Sequence, residues 1–142
     1  MKRVLALILV LGAVAISGAL AYRAAARDRS YRVLLASGES ALAAGDTLAA
    51  VEDFSGAIAL RPDAMLARLR RGETYRIRGD FDVAGRDFRA AAQLDPTATR
   101  PLEALGDVLY EQERFKRAAE TYQERLRLDD RSALIRYKLA LA

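Results

Sequence analysis

Neither cysteine nor histidine occurs anywhere in the 142 residues, tryptophan is missing as well, and proline appears three times. Without cysteine there is no disulfide framework, no thiolate metal site and no attachment point for a thioester lipid. Without histidine the commonest general base and the commonest zinc ligand disappear together. Ser30, Ser37, Ser40, Ser55 and Ser132 therefore have no imidazole to activate them, and no glycine-rich phosphate loop is present. The chain is expected not to be an enzyme and to require no cofactor or metal. A strong charge of one sign is lacking too. The net charge is +4, but Lys2 and Arg3 precede an apolar segment, and 23 basic groups less those two leaves 21 against 19 acidic ones. No nucleic-acid partner is expected from that balance.

The one long uncharged stretch is Val4 to Ala21, VLALILVLGAVAISGALA, ahead of Tyr22 and Arg23. As a helix it would measure about 27 Å, close to the ~30 Å of a bilayer core, and it reads as a single-pass anchor. It also reads as a signal peptide, with Lys2-Arg3 leading and Ala19-Leu20-Ala21 as a small-x-small cleavage site. Arg23, Arg27, Arg29 and Arg32 stand just past that site and hinder export of a cleaved chain, which favours the anchor. Residues 1–22 are thus assigned to a signal-anchor or signal peptide and 23–30 to a basic linker. Basic residues flank both ends: the positive-inside rule alone keeps the body cytoplasmic, whereas the short leader favours an exported body. Ala13, Ser17 and Ala21 form a ridge of small residues at every fourth position.

What the rest of the chain has in abundance is register. Ala50 and Phe54 recur 34 residues on as Ala84 and Phe88, and again as Ala118 and Tyr122. Gly38, Gly72 and Gly106 precede each alanine by twelve, and Pro62, Pro96 and then Asp130 follow by twelve. Ala57 and Ala91 fill a further slot. The blocks are 31–64, 65–98 and 99–132, each read as two amphipathic helices. First helices are expected over 31–44, 65–78 and 99–112, second helices over 47–60, 81–94 and 115–128. Gly45-Asp46 and Gly79-Asp80 mark turns in which glycine ends one helix and aspartate caps the next. Glu113-Arg114 must close the third turn without glycine.

In these residues the chain resembles the tetratricopeptide repeat family, over 31–132 and, through 133–142, the start of a fourth repeat. The resemblance implies an all-α superhelical solenoid of antiparallel helix pairs. Its structural positions are Gly38, Ala50, Phe54, Ala57 and Pro62, then Gly72, Tyr75, Ala84, Phe88, Ala91 and Pro96, then Gly106, Ala118 and Tyr122. It also implies a protein or peptide partner in a concave groove lined by the first helices. Carried onto this sequence, the groove positions are Arg32, Leu35, Ala36 and Glu39 in repeat one, and Leu66, Leu69, Arg70, Glu73 and Arg76 in repeat two. Arg100, Glu103, Asp107 and Tyr110 follow in repeat three, and Tyr137 beyond it. Some members clamp a C-terminal carboxylate with asparagine and lysine. Here Glu39, Glu73 and Asp107 stand in the asparagine slots, so an internal segment is the expected ligand.

The pattern lapses at four places. Arg68 replaces an early leucine, Asp130 a proline, and Arg125 a small residue, so looser packing is expected at Arg125. Residues 133–142 end in Leu139, Leu141 and alanines, where a capping helix carries a polar outer face, and either continue into a fourth repeat or bury against a partner or second copy. Arg71 is read as a structural partner of Asp53 or Asp87. Bacterial members with such an anchor imply a scaffold in an envelope assembly system, at the inner membrane with a periplasmic body. The rival reading is a self-associating membrane protein that joins copies through its C-terminal and membrane helices.

Overall fold

The structure, a computed structural model, describes residues 2–142, with side chains from residue 11 onward. Among these residues there are seven helices and no strand: α1 Lys2–Ala43, α2 Thr47–Leu60, α3 Met65–Ile77, α4 Phe81–Leu94, α5 Thr99–Glu111, α6 Phe115–Leu128 and α7 Ala133–Leu141. Each odd helix up to α5 packs on the even helix after it, and each even helix on the odd helix that follows, so the last part of α1 and helices α2 to α7 form one stack. Residues 23–30, read as a linker, continue α1 without a break. Among the described residues the buried part of α1 begins at Tyr31, with Asp28 one turn earlier held by Arg61 of the body.

The turns show why the register works. Gly45 and Gly79 take left-handed backbone, with φ of 79° and 82°. Each ends its helix in the same way: Asp46 N–H reaches back to the Ala41 carbonyl at 2.9 Å, and Asp80 N–H to that of Tyr75 at 2.9 Å. Arg114 N–H makes the same bond to Leu109, also at 2.9 Å, so the third turn keeps the geometry and Glu113 is forced to φ 58°. A β-carbon in that region costs about 1–2 kcal/mol. Glu113→Gly is therefore expected to raise the unfolding free energy by about 1 kcal/mol, read as a higher urea midpoint with an unchanged slope.

Capping differs from the expectation at one turn. Asp46 accepts a hydrogen bond from Ala49 N–H at 3.0 Å, but the Asp80 side chain caps nothing and faces Arg78 at 3.1 Å instead. Ser132 caps α7 through Ile135 N–H at 3.3 Å.

Ala50, Phe54 and Ala57, with Ala84, Phe88 and Ala91, are wholly buried, as is Ala118. Each aromatic lies against the glycine of the paired helix. A β-carbon on Gly38 would sit 2.6 Å from the Phe54 ring, and one on Gly72 would sit 2.7 Å from Phe88. Helix pairs therefore approach closely because one side supplies no side chain and the other a flat ring. Two apolar clusters result. One gathers Tyr31, Ala57 and Ala67. The larger joins Leu69, Phe88, Leu105, Val108, Tyr122 and Ile135 across two repeats and α7.

Arg125 does not loosen its slot. It is buried, and its Nη1 donates to the Asp129 carbonyl at 2.6 Å at the end of α6. A long aliphatic stem can fill an apolar site while its charge sits where the helix dipole favours a cation. Arg68 folds back to the turn before it, its Nη2 donating to the Pro62 carbonyl at 3.2 Å.

Candidate functional site

The odd helices share one face, and charged side chains join them across it. Glu39 on α1 meets Arg70 Nε at 2.6 Å; Arg70 also holds Glu73 at 2.8 Å; and Glu73 accepts from Arg100 on α5 at 2.9 Å. Arg76 reaches Glu111 at 2.8 Å. On the next step Lys138 of α7 donates to Asp107 at 2.8 Å and to Glu103 at 3.2 Å. Acid and base thus alternate from α1 to α7. Each exposed pair adds at most about 1 kcal/mol to stability, so the ladder's larger effect is on what the face can accept.

Two recesses open along this ladder. One of about 340 Å³ lies between α3 and α5 and is lined by Glu73, Arg76, Arg100, Glu103, Ala104 and Asp107. Another of about 230 Å³ is lined by Asp107, Tyr110, Glu111, Tyr122, Lys138 and Leu141. Tyr110 forms its aromatic wall and packs edge-on against Phe115, with ring centres 5.1 Å apart. A larger recess, about 610 Å³, lies between α4 and α6 on the other side and includes none of the expected groove residues.

Of the groove positions read from the sequence, Glu39, Arg70, Glu73, Arg76, Arg100, Glu103 and Asp107 come together in the ladder. Leu66 is exposed, as are Tyr110 and Tyr137, the last at 63%. Leu35 is half-buried beside the Tyr31 cluster. Leu69 is not on the surface: it is 2% exposed and belongs to the larger core cluster, which joins repeats two and three. Lys138, Glu111 and Ile77 were missed. The register could have found Lys138, which stands two periods after Arg70. Ile77 is exposed and shares a stripe with Leu66, Arg70 and Glu73 at helical spacing.

Arg71 selects Asp87 over Asp53. Its Nε and Nη2 donate to the two carboxylate oxygens at 2.7 and 2.8 Å, and Nη1 donates to Ser55 Oγ at 3.0 Å. The Asp87 hydrogen bond raises the Arg71 pKa against the opposing pull of burial. This arginine is part of the scaffold, tying α3 to the second helices on either side.

In the recess of about 230 Å³ the Tyr122 hydroxyl donates to Asp107 Oδ1 at 2.7 Å. Burial first, then Asp107, push this hydroxyl above its ordinary value. For Lys138 burial pulls downward, but the hydrogen bonds and charges of Asp107 and Glu103 outweigh it and the net shift is upward. Both groups hold their protons more tightly when folded. Their contribution is complete below the unfolded pKa values of about 10 and is lost as pH rises through the folded ones. Stability is therefore expected to fall above about pH 10, and Tyr122→Phe, which copies the ring in the other repeats, to make that fall shallower in thermal melts taken across the alkaline range.

Among the described residues no helix is long and apolar enough to cross a membrane. The first part of the uncharged stretch, Val4 to Val10, lies outside the described side chains. Within the described part of α1 the residues from Leu11 to Arg27 are exposed on every side, Leu11, Val14, Ile16 and Leu20 among them.

A family model described as tetratricopeptide repeat matches residues 35–99 and 103–142. The small glutamine-rich tetratricopeptide repeat-containing protein 2 of Mycosarcoma maydis is 30% identical over 107 residues, which are 75% of this chain. They are 30% of that relative, so the chain spans less than a third of its length. The second TPR domain of human RPAP3, solved in complex with the HSP70 peptide SGPTIEEVD, superposes with a TM-score of 0.76 at 16% identity, covering 81% of this chain and 96% of that one. MamA protein superposes with a TM-score of 0.75 at 21% identity, covering 80% and 62%. At these identities the two structures speak for the fold alone.

Proposed function

The chain belongs to the tetratricopeptide repeat family, and on that footing we propose that it is a membrane-tethered scaffold whose ladder face holds an internal segment of a partner protein. The observation that carries this is the ladder itself. Glu39, Glu73 and Asp107 each face a cation supplied by their own or the next repeat, and the cations are thereby engaged. A ligand with a terminal carboxylate would have to break those pairs and would meet three carboxylates. An internal segment bearing both charges can exchange pairs with the ladder while its apolar side chains meet Leu66, Ile77 and Tyr110. The peptide in the RPAP3 complex ends in two glutamates, valine and aspartate. The carboxylates at Glu39, Glu73 and Asp107 set this face against such an ending.

The test is photocrosslinking from Leu66 or Tyr110 in native membranes, repeated with Arg70→Glu and with Glu73→Arg. Partners that vanish in both charge variants support the groove; an unchanged set of partners rules it out. The ligand's end is tested on a segment mapped from the crosslinked partner, compared as free acid and as C-terminal amide. Equal affinity supports an internal segment, and loss of binding on amidation opposes it.

The tether rests on the uncharged run Val4 to Ala21 and on the exposure of its described apolar residues in α1. Its described apolar residues, from Leu11 to Leu20, have no partner in the body and gain about 25 cal/mol per Å² by leaving water. We place the body outside a bacterial inner membrane, as part of an envelope assembly. Resistance of the chain to alkaline extraction tests the anchor. A reporter active only after export, fused to the C-terminus, tests the side. Self-association is the competing use of α7, whose Leu134, Tyr137 and Leu141 are exposed. A concentration-independent monomer for residues 23–142 would remove it.

A further inference from the structure

Arg23, Arg27 and Arg29 play no part in the ladder, and among the described residues none of them lies within ion-pairing distance of a carboxylate. They stand on α1 between the uncharged run and the first buried residue, Tyr31. The helix does not break there. At 1.5 Å per residue Arg23, Arg27 and Arg29 lie about 3, 9 and 12 Å along the axis beyond Ala21. A headgroup layer is about 5–8 Å deep, from the difference between a 40–45 Å bilayer and its ~30 Å core. If Ala21 marks the edge of the hydrocarbon, the three guanidinium groups fall in or just above the phosphates.

The loop between α2 and α3 is held at the same level. Arg61 donates to Asp28 at 3.0 Å and its guanidinium lies 4.8 Å from the centre of the Tyr31 ring. Ala24, Arg27, Asp28, Leu60, Arg61, Pro62 and Asp63 together line a recess of about 330 Å³. Asp28 is engaged by Arg32 as well as Arg61, so its charge is offset, and Asp63 is the remaining acid. The arginines are left in excess on this edge.

We propose that this edge of repeat one, formed by Arg23, Arg27, Arg29 and the α2–α3 loop, docks on anionic phospholipid headgroups, so that the ladder face begins at the membrane surface and takes a membrane-proximal segment of its partner. The inference rests on the anchor reading. An unbroken helix that is both anchor and first groove helix gives the body no hinge at this point, and Arg61 latches the loop to it. Each arginine near an anionic surface strengthens contact several-fold, within a screening length of about 8 Å in physiological salt.

The chain has no cysteine, so one introduced thiol is a unique label. Full-length protein carrying a fluorophore at Pro62→Cys or at Ala44→Cys, the latter about 35 Å beyond Ala21, is reconstituted into vesicles with a headgroup-attached quencher. In phosphatidylcholine mixed with phosphatidylglycerol, the Pro62 probe should be quenched several-fold more than the Ala44 probe. That excess should fall in phosphatidylcholine alone, and in Arg23→Gln/Arg27→Gln/Arg29→Gln with circular dichroism unchanged. Equal quenching at both sites, or quenching indifferent to lipid charge and to the three arginines, overturns the docking while the anchor stands. Release of the unlabelled chain by alkaline wash overturns the anchor and the docking with it. An acidic protein that binds these arginines while lipid charge has no effect assigns the edge to that protein and likewise overturns the docking.

Discussion

Phe88→Ala is expected to lower the unfolding free energy by about 3–5 kcal/mol, a large part of the ~5–15 kcal/mol that holds a domain of this size together. The ring is wholly buried and lies on Gly72, which leaves no β-carbon to move into the space. Two features put the cost at the upper end. Helix α4 touches both α3 and α5, so the cavity would open between two repeats and could not close by shifting one helix. The ring also belongs to the cluster that runs on through Leu105, Val108 and Tyr122 to Ile135, so α7 is loosened along with the repeat. In a stack whose repeats supply one another's core, damage to the middle unit reaches both neighbours. Urea denaturation followed by far-ultraviolet circular dichroism measures it. A loss below about 1.5 kcal/mol would mean that the helices collapse onto the gap and that the glycine contact is not what spaces them.

Asp87→Ala is the second large effect, expected at about 2–3 kcal/mol. Breaking a fully buried pair costs about 3–5 kcal/mol because the remaining charge is left without a partner. Here the figure is lowered, since the Arg71 side chain is 22% exposed while that of Asp87 is 6% exposed. Water can reach the stranded guanidinium, and Ser55 still accepts one of its hydrogen bonds. The double variant Arg71→Met/Asp87→Ala should recover much of the loss, because the unpaired charge is gone and the methionine stem still fills the space. If the double variant is as unstable as the sum of both single ones, the pair is not coupled and the bidentate geometry carries no energy.

From α2 onward the helices were legible almost to the residue because two independent signals coincide in each repeat, an apolar stripe of helical period and a turn that only certain residues close, whereas the start of α1 was not. Where glycine was missing, at Glu113, the turn kept its form, since packing on both sides fixes the helix ends and the backbone follows at some cost. The candidate groove was legible in part. Seven of its expected positions lie together on the ladder face because a 34-residue period carries a surface position from one repeat to the next as faithfully as a core position. Leu69 was misplaced for a physical reason: an apolar side chain at the border of two faces is drawn out of water, and Leu69 is buried in the cluster that joins repeats two and three. Lys138 takes the register position of Arg70, two periods on, yet it is set among the apolar residues of α7, whose exposed Leu134, Tyr137 and Leu141 dominate that end of the sequence.

The sequence by itself determined the six helices from Thr47 onward, their pairing and the spacing of the aromatics, because a repeated local pattern admits one stacked arrangement and both faces of each helix are written into it. The anchor helix and the first repeat helix, read as separated by a linker, instead form the single helix α1. Only the tertiary structure decided which charges meet. Arg71 had two aspartates in prospect and took Asp87; Glu39, Glu73 and Asp107 looked like free carboxylates and are held by Arg70, Arg100 and Lys138. Hydrophobic burial follows from type and period, but an ion pair is a matter of a few ångströms between long side chains on different helices, and those distances exist only once the stack is built.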